Sequence, residues 1–355
     1  MSQLFSPLKL RSITLKNRIV VSPMCMYSST DGFATNWHLV HLGSRAVGGA
    51  GLVMTEATAV APEGRITPDD LGIWKDEHIP MLKRITGFIL EHGAVPGMQL
   101  AHAGRKASHR SPWKGSTAIP ATEGGWQTVA PSAMPFTDAE PQPAALTREG
   151  ISKVISDFQE AAKRALEAGF QVIEIHAAHG YLIHEFMSPL SNKRTDNYGG
   201  SFENRIRLLL EVTESVRQVW PQEYPLLVRI SATDWAEGGW TDEDSVALAA
   251  ILEHKEVDLI DCSTGGNVAH AKIPVEPGYQ VRFAERIRKN TGMKTGAVGM
   301  ITTAQQAESI IADGKADLVL LARQMLRDPY FPLHAARELG ADMPWPPQYE
   351  RARPR

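Results

Sequence analysis

The chain has 355 residues, 43% of them hydrophobic, with 37 Lys and Arg against 40 Asp and Glu for a formal net charge of −3. That composition excludes intrinsic disorder and lacks the basic excess of a nucleic-acid binder, and two cysteines, Cys25 and Cys262, cannot build a disulfide framework, an iron–sulfur cluster or a structural zinc site. No apolar run approaches the ~18 residues of a membrane span, and Met1-Ser2-Gln3-Leu4-Phe5-Ser6-Pro7 has no export-signal pattern, so a soluble, cytoplasmic protein of enzyme size, without membrane contact, is expected.

Short apolar runs recur along the chain: Ile19–Pro23, Gly51–Thr55, Val95–Leu100, Val172–His176, Leu226–Ile230, Leu259–Ser263, Thr295–Gly299 and Leu318–Ala322. They read as continuous runs rather than alternation, the pattern of strands buried on both faces. Helix signals fall between them. Thr147 can cap a helix whose apolar face is Ile151, Val154, Ile155, Phe158, Ala162, Ala165 and Leu166, and Gly169 can close it. Thr241 with Asp244, and Thr303 with Gln306, have capping-box spacing, and Gly314 fits a C-cap. Eight strands alternating with helices predict an α/β fold, a (β/α)8 TIM barrel forming one domain over residues 1–355. Residues 105–146 break the rhythm with six prolines and little periodicity. A loop that long after the third strand is either a lid-like insertion on the active face or a surface insertion.

Barrel chemistry sits at the C-terminal ends of the strands. There the sequence offers Ser22-Pro23-Met24-Cys25-Met26-Tyr27, Glu56-Ala57, Gln99, His176 with His179 and Tyr181, Arg229, Gly299 and Ala322-Arg323. Gly299 and Ala322-Arg323 follow the last two strands, a common phosphate site in this fold. Arg229 leaves an apolar strand, so it either faces a functional cavity or is paired inside the barrel, with Glu174 as a neighbouring candidate. Cys25 is by default a small buried hydrophobe, and its place at a strand end raises the prospect of ligand contact.

His176 and His179 admit three readings: metal ligands, structural histidines, or two N–H donors for an oxygen that gains negative charge. No third ligand accompanies them, so no metal is expected. Tyr181 follows closely and can give a proton to a carbanion or enolate. Donor pair plus phenol is a coherent set for a carbonyl-activated reaction, as in a cofactor-free barrel lyase or isomerase using the His176/His179 pair, with a ligand-binding protein without turnover as a reading from another class.

Ordered blocks carry a more specific signal. They include Leu15-Lys16-Asn17-Arg18-Ile19, Ser22 to Tyr27, Thr55-Glu56-Ala57-Thr58-Ala59-Val60, Gln99 to Lys106, His176 to Leu182, Ser191 to Arg205, Ala322-Arg323 and Gln348-Tyr349-Glu350-Arg351. Over essentially its whole length the chain resembles the Old Yellow Enzyme family, in its thermophilic-like bacterial ene-reductase class. The resemblance implies non-covalent FMN, reduced by NADPH or NADH as a transient reductant, and reduction of activated alkenes, quinones or nitro compounds. By position it assigns Ser22, Pro23, Met24, Cys25, Ala57, Gln99, Arg229, Ala297, Val298, Gly299, Ala322 and Arg323 to the cofactor. It assigns Tyr27, His176, His179 and Tyr181 to the substrate, with Tyr181 as proton donor and Cys25 adjusting the potential. It further implies a homodimer or homotetramer in which residues 341–355 reach a neighbouring subunit and Arg351 completes the site in trans. The tail here ends Ala352-Arg353-Pro354-Arg355, without the family's short aromatic ending, and position 298 is Val where some relatives carry Trp.

Overall fold

The computed structural model describes residues 2–353. An antiparallel hairpin, β1 (Leu8–Leu10) and β2 (Ile13–Leu15), precedes the first barrel strand, β3 (Ile19–Val21). Then come α1 (Asn36–Val47), β4 (Leu52–Ala59), α2 (Ile79–Glu91) and β5 (Val95–Ala101). After the long 105–146 segment, with its two-residue strands β6 (Val129–Ala130) and β7 (Ala144–Ala145), follow α3 (Arg148–Glu167) and β8 (Val172–Ala177). The chain continues through α4 (Leu182–Met187), α5 (Phe202–Arg205), α6 (Arg207–Val219), β9 (Leu226–Ser231), α7 (Asp242–Glu253) and β10 (Leu259–Ser263). It ends with α8 (Val281–Thr291), β11 (Lys294–Ala297), α9 (Ala304–Ala312), β12 (Leu318–Leu321), α10 (Arg323–Arg327) and α11 (Phe331–Glu338).

The eight predicted strands close a parallel barrel in the order β3-β4-β5-β8-β9-β10-β11-β12, with β12 returning to β3. This is the (β/α)8 TIM barrel expected from the sequence. Side chains pointing outward, such as Ile173, Val228 and Ile260, join one core with the helices. Inward-pointing Val172, Leu227 and Leu259 join a second core with Leu8, Leu10, Ile13 and Leu15 of the hairpin. The hairpin therefore plugs the floor of the barrel. Its strands have only three residues each, too short for the periodicity that revealed the others.

Strand ends shift from the predicted bounds for local reasons. β11 stops at Ala297 because Gly299 (φ 117°) and Met300 (φ 48°) turn the backbone left-handed. β3 stops at Val21, just before the proline at position 23, which has no N–H for a ladder. β4 instead runs on to Ala59, across a bulge between Met54 and Ala57.

Thr147 caps α3 by accepting from the Gly150 N–H, and Ile151, Val154, Phe158, Ala162 and Ala165 are buried as the 3.6-residue period requires. Thr241 and Asp244 form a complete capping box on α7. Thr303 accepts from Gln306 N, but the Gln306 side chain takes the N–H of Thr302 instead, so the predicted box on α9 is half made.

Segment 105–146 holds short 3-10 turns and is tied down by polar clamps. Arg194 donates to the carbonyls of Pro131 (3.0 Å) and Leu146 (2.6 Å), Arg105 donates to Asn267 O (2.6 Å), and Trp126 Nε1 donates to Glu63 O (2.9 Å). No helix among the described residues is long and apolar enough to cross a membrane.

Candidate active site

The inner face of the barrel changes character along its axis. Above the apolar floor, Gln99 (β5), Glu174 (β8), Arg229 (β9) and Asp261 (β10) point inward, all nearly fully buried. Arg229 is paired, but not with Glu174 as the sequence suggested. Its Nε lies 3.0 Å from Asp261 Oδ2 on the next strand, where the two residues are in register. Glu174 Oε1 instead accepts from Gln99 Nε2 at 2.6 Å. The Arg229–Asp261 contact is close yet poorly aligned, so Arg229 Nε has no hydrogen bond.

Above this layer His176 and His179 face each other, His176 Nε2 and His179 Nδ1 being 3.3 Å apart. Ser263 Oγ, 2.7 Å from His179 Nε2, fixes the second ring, and the His179 N–H donates to Ser231 Oγ. Burial, then the Arg229 cation, pushes both imidazoles well below the usual histidine range, so both are neutral and each carries one N–H donor. His176 Nδ1 is buried with no partner. Among the described residues no three His, Cys, Asp or Glu side chains converge as metal ligands.

The loop after His179 is forced into place. Gly180 has φ 71°, and a Cβ there would meet Gly266 O at 2.1 Å. The turn brings the Tyr181 ring within 5.2 Å of His176. Burial raises the Tyr181 hydroxyl well above its ordinary value, so it keeps its proton. Behind it, His184 and Asp234 form a fully buried pair at 3.0 Å, and His184 Nδ1 accepts the Gly180 N–H.

Ser22 to Tyr27 make the opposite wall. Met26 N–H donates to Glu56 Oε2 (2.9 Å), whose other oxygen meets His38 Nε2 (3.1 Å), both side chains being buried. Burial pushes the Cys25 thiol well up, with the Asp70 and Glu56 carboxylates adding to it, so Cys25 is a thiol rather than a thiolate. Tyr27, at φ 48°, stacks edge-on against Trp113 at 5.6 Å. Tyr27 and Tyr181 line one cavity of about 190 Å³ whose outer wall comes from segment 105–146, through Lys106, His109, Pro112, Phe136 and Glu140.

A second cavity of about 210 Å³ lies at the ends of β11 and β12, lined by Val298, Gly299, Ala322, Arg323 and Gln324 among others. Gly299 has φ 117°, a conformation that strains any side chain, and a Cβ there would also press on Gln280 Nε2 at 2.9 Å. Ala297 is fully buried in β11 and does not line this cavity. Ala57 is buried in β4, level with Gln99.

The donors fit the FMN implied by the resemblance. A glycine turn with an arginine suits a phosphate, and Arg229 with Gln99 suits an electron-rich ring edge; Ser22 Oγ, like His176 Nδ1, is buried and unpartnered. Arg351 is not brought to this constellation within the protomer. It is exposed on the 3-10 turn Pro347–Ala352, which packs through Tyr349 against Tyr330 (ring centroids 5.9 Å). Residues 354 and 355 of the expected tail lie outside the described residues.

Sequence reasoning named Glu56 and Lys106 without giving them a role and missed Asp261 and His38; Lys106 Nζ is 5.2 Å from the Tyr181 ring and donates to His179 O at 2.8 Å. Asp261 had a legible signal, a charge inside an apolar strand, the same signal that exposed Arg229.

The model of the NADH:flavin oxidoreductase / NADH oxidase family matches residues 3–342. A Bacillus cytotoxicus protein named NADPH dehydrogenase is 53% identical over 354 residues, covering 99% of this chain and 97% of that one. Among solved structures, an old yellow enzyme homologue from Zymomonas mobilis superposes with a TM-score of 0.80 at 28% identity, covering 99% of both chains. Morphinone reductase in complex with tetrahydroNAD superposes with a TM-score of 0.79 at 29% identity, covering 98% of this chain and 94% of that one.

Proposed function

We propose that this chain, which belongs to the NADH:flavin oxidoreductase / NADH oxidase family, reduces activated C=C bonds of enones and related electron-poor acceptors. Flavin-dependent oxidoreduction with FMN and a nicotinamide reductant is the activity of an NADPH dehydrogenase of this type. FMN, held by the residues of this site, would supply the redox chemistry that links the nicotinamide nucleotide to the acceptor.

The remaining roles belong to side chains. Arg323 and the backbone of Gly299 and Ala322 hold the phosphate, with Ala297 and Val298 leading into that turn. Gln99 and Arg229 hold the pyrimidine edge, where Arg229 balances negative charge. Ser22, Pro23, Met24, Cys25 and Ala57 line the ring, and the thiol of Cys25 adjusts its potential through a polarizable neutral contact. His176 and His179 each give one N–H to the acceptor's carbonyl oxygen, displacing their mutual contact. As charge moves onto that oxygen these bonds strengthen, which is the differential stabilisation a catalyst needs. Tyr181 gives its proton to the α carbon, and Tyr27 packs on the acceptor beneath a lid formed by residues 105–146.

The observation that carries this reading is the neutral His176–His179 pair beside a protonated Tyr181, at the barrel mouth that also presents Arg229 and Arg323. Tyr181→Phe tests it. Reoxidation of the reduced protein by 2-cyclohexenone should slow by about 10²-fold or more, the usual worth of a positioned acid. Its reduction by NADPH and its reoxidation by a quinone, which needs no carbon protonation, should stay unchanged. Equal slowing of all three would remove Tyr181 from the role of proton donor.

A further inference from the structure

The polar layer inside the barrel holds two carboxyls and one cation. Glu174, Arg229 and Asp261 are buried to 94% or more, and the groups facing Glu174 are Gln99 from β5, Arg229 from β9 and Asp261 from β10. His176, two residues further along β8, is neutral. Ionising both carboxyls would leave a net negative charge in a dry interior, where like charges repel and water cannot screen them. One of them therefore keeps a proton. Neither Asp261 oxygen has a hydrogen bond, but Asp261 has the guanidinium charge at 3.0 Å, whereas Glu174 has only the neutral Gln99 amide at 2.6 Å and a second oxygen buried without a partner.

We propose that Glu174 is a resident carboxylic acid of the barrel, a proton-holding and positioning residue that fixes Gln99 and leaves Arg229 with the single counter-charge of Asp261. Burial, followed by the Asp261 charge, raises Glu174 to about 8, and Asp261, helped by Arg229, rises only to about 6, consistent with that division. While Glu174 is neutral, Arg229 meets the cofactor's reduced, negatively charged form as a cation balanced only once. When Glu174 ionises, a second negative charge opposes reduction. Reduction then favours rebinding of that proton from solvent, so from about pH 8 up to the higher value Glu174 takes in the reduced protein, reduction is accompanied by up to one proton more than at lower pH. This linkage rests on the reading that Gln99 and Arg229 hold FMN; the proton on Glu174 does not.

Two measurements separate these. Infrared spectra of the holoenzyme, and of the same protein stripped of flavin, should both show a protonated-carboxyl carbonyl band that is present at pH 7 and lost as pH rises through about 8. Glu185 is the other deeply buried carboxyl raised to about 8, so E185Q is recorded beside E174Q to separate the two bands. A band lost in E174Q and kept in E185Q supports the proposal. A spectrum unchanged by E174Q overturns it, and if E174Q does not fold, the proposal fails should the E185Q protein show no band that titrates near pH 8. The second measurement is the midpoint potential of bound FMN against pH. Just above pH 8 its slope should be steeper in the natural protein than in E174Q, by up to about twofold. Equal slopes beside a confirmed Glu174 band would overturn the linkage through Gln99 and Arg229 while leaving the proton assignment standing.

Discussion

His176 and His179 cannot take up protons cheaply, because they share a buried layer edge with a fixed guanidinium. Their folded pKa values lie below the unfolded value of ~6.5. For a base held in that direction the unfolded chain binds more protons than the native one, so the stability it contributes is present above the unfolded value and is lost as pH falls through the depressed one. Between pH 6.5 and 5.5, kcat/KM for an enone should therefore show no break assignable to these rings. A break near 6.5 that vanishes on replacing His176 and His179 together would contradict the neutral-donor role. At this scale the sequence was informative wherever a polar residue interrupted an apolar strand or clustered after one, as at Arg229, His176 and Tyr181. It misassigned the partner of Arg229 because Glu174 and Asp261 flank it on either side. Only the inter-strand register, Asp261 level with Arg229 and Glu174 level with Leu227, separates them.

The barrel strands were visible because burial on both faces writes continuous apolar runs, and helix α3 was visible because burial on one face writes a 3.6 period. Strand ends were less so, since left-handed turns at Gly299 and Met300 override the local preference. The wall made by residues 105–146 lacks periodicity altogether and is held by side-chain clamps that sequence spacing does not reveal. Arg194 is the chief of these. Arg194→Ala removes two charge-assisted bonds to backbone carbonyls and should destabilise the fold by ~2 kcal/mol, read as a lower melting temperature. It should also speed limited proteolysis within 105–146 and raise KM for enones, with FMN content unchanged. Unaltered proteolysis and KM would remove the lid role from this segment.

For the molecule as a whole, the cofactor seat and the tyrosine-lined cavity belong to one barrel mouth, while Arg351 stands exposed on a turn docked elsewhere by Tyr349 and Tyr330. The expectation that Arg351 completes a neighbouring subunit's site rests on the family resemblance alone. Arg351→Ala should leave FMN bound and the rate of flavin reduction intact, while KM shifts several-fold across a panel of enones. An unchanged KM for every acceptor would argue against completion of the site in trans. The architecture and the strand-end residues were legible in the chain because each is a local pattern; the expectation of assembly came only from resemblance, since an exposed arginine carries no periodic or packing signal of its own.

Anaerobic titration of the purified protein bears most directly on alkene reduction at a flavin seated over the neutral imidazole pair. NADPH should bleach a bound-flavin absorbance stoichiometrically, and 2-cyclohexenone should restore it with formation of cyclohexanone. A bleached spectrum that oxygen restores but the enone does not would contradict it.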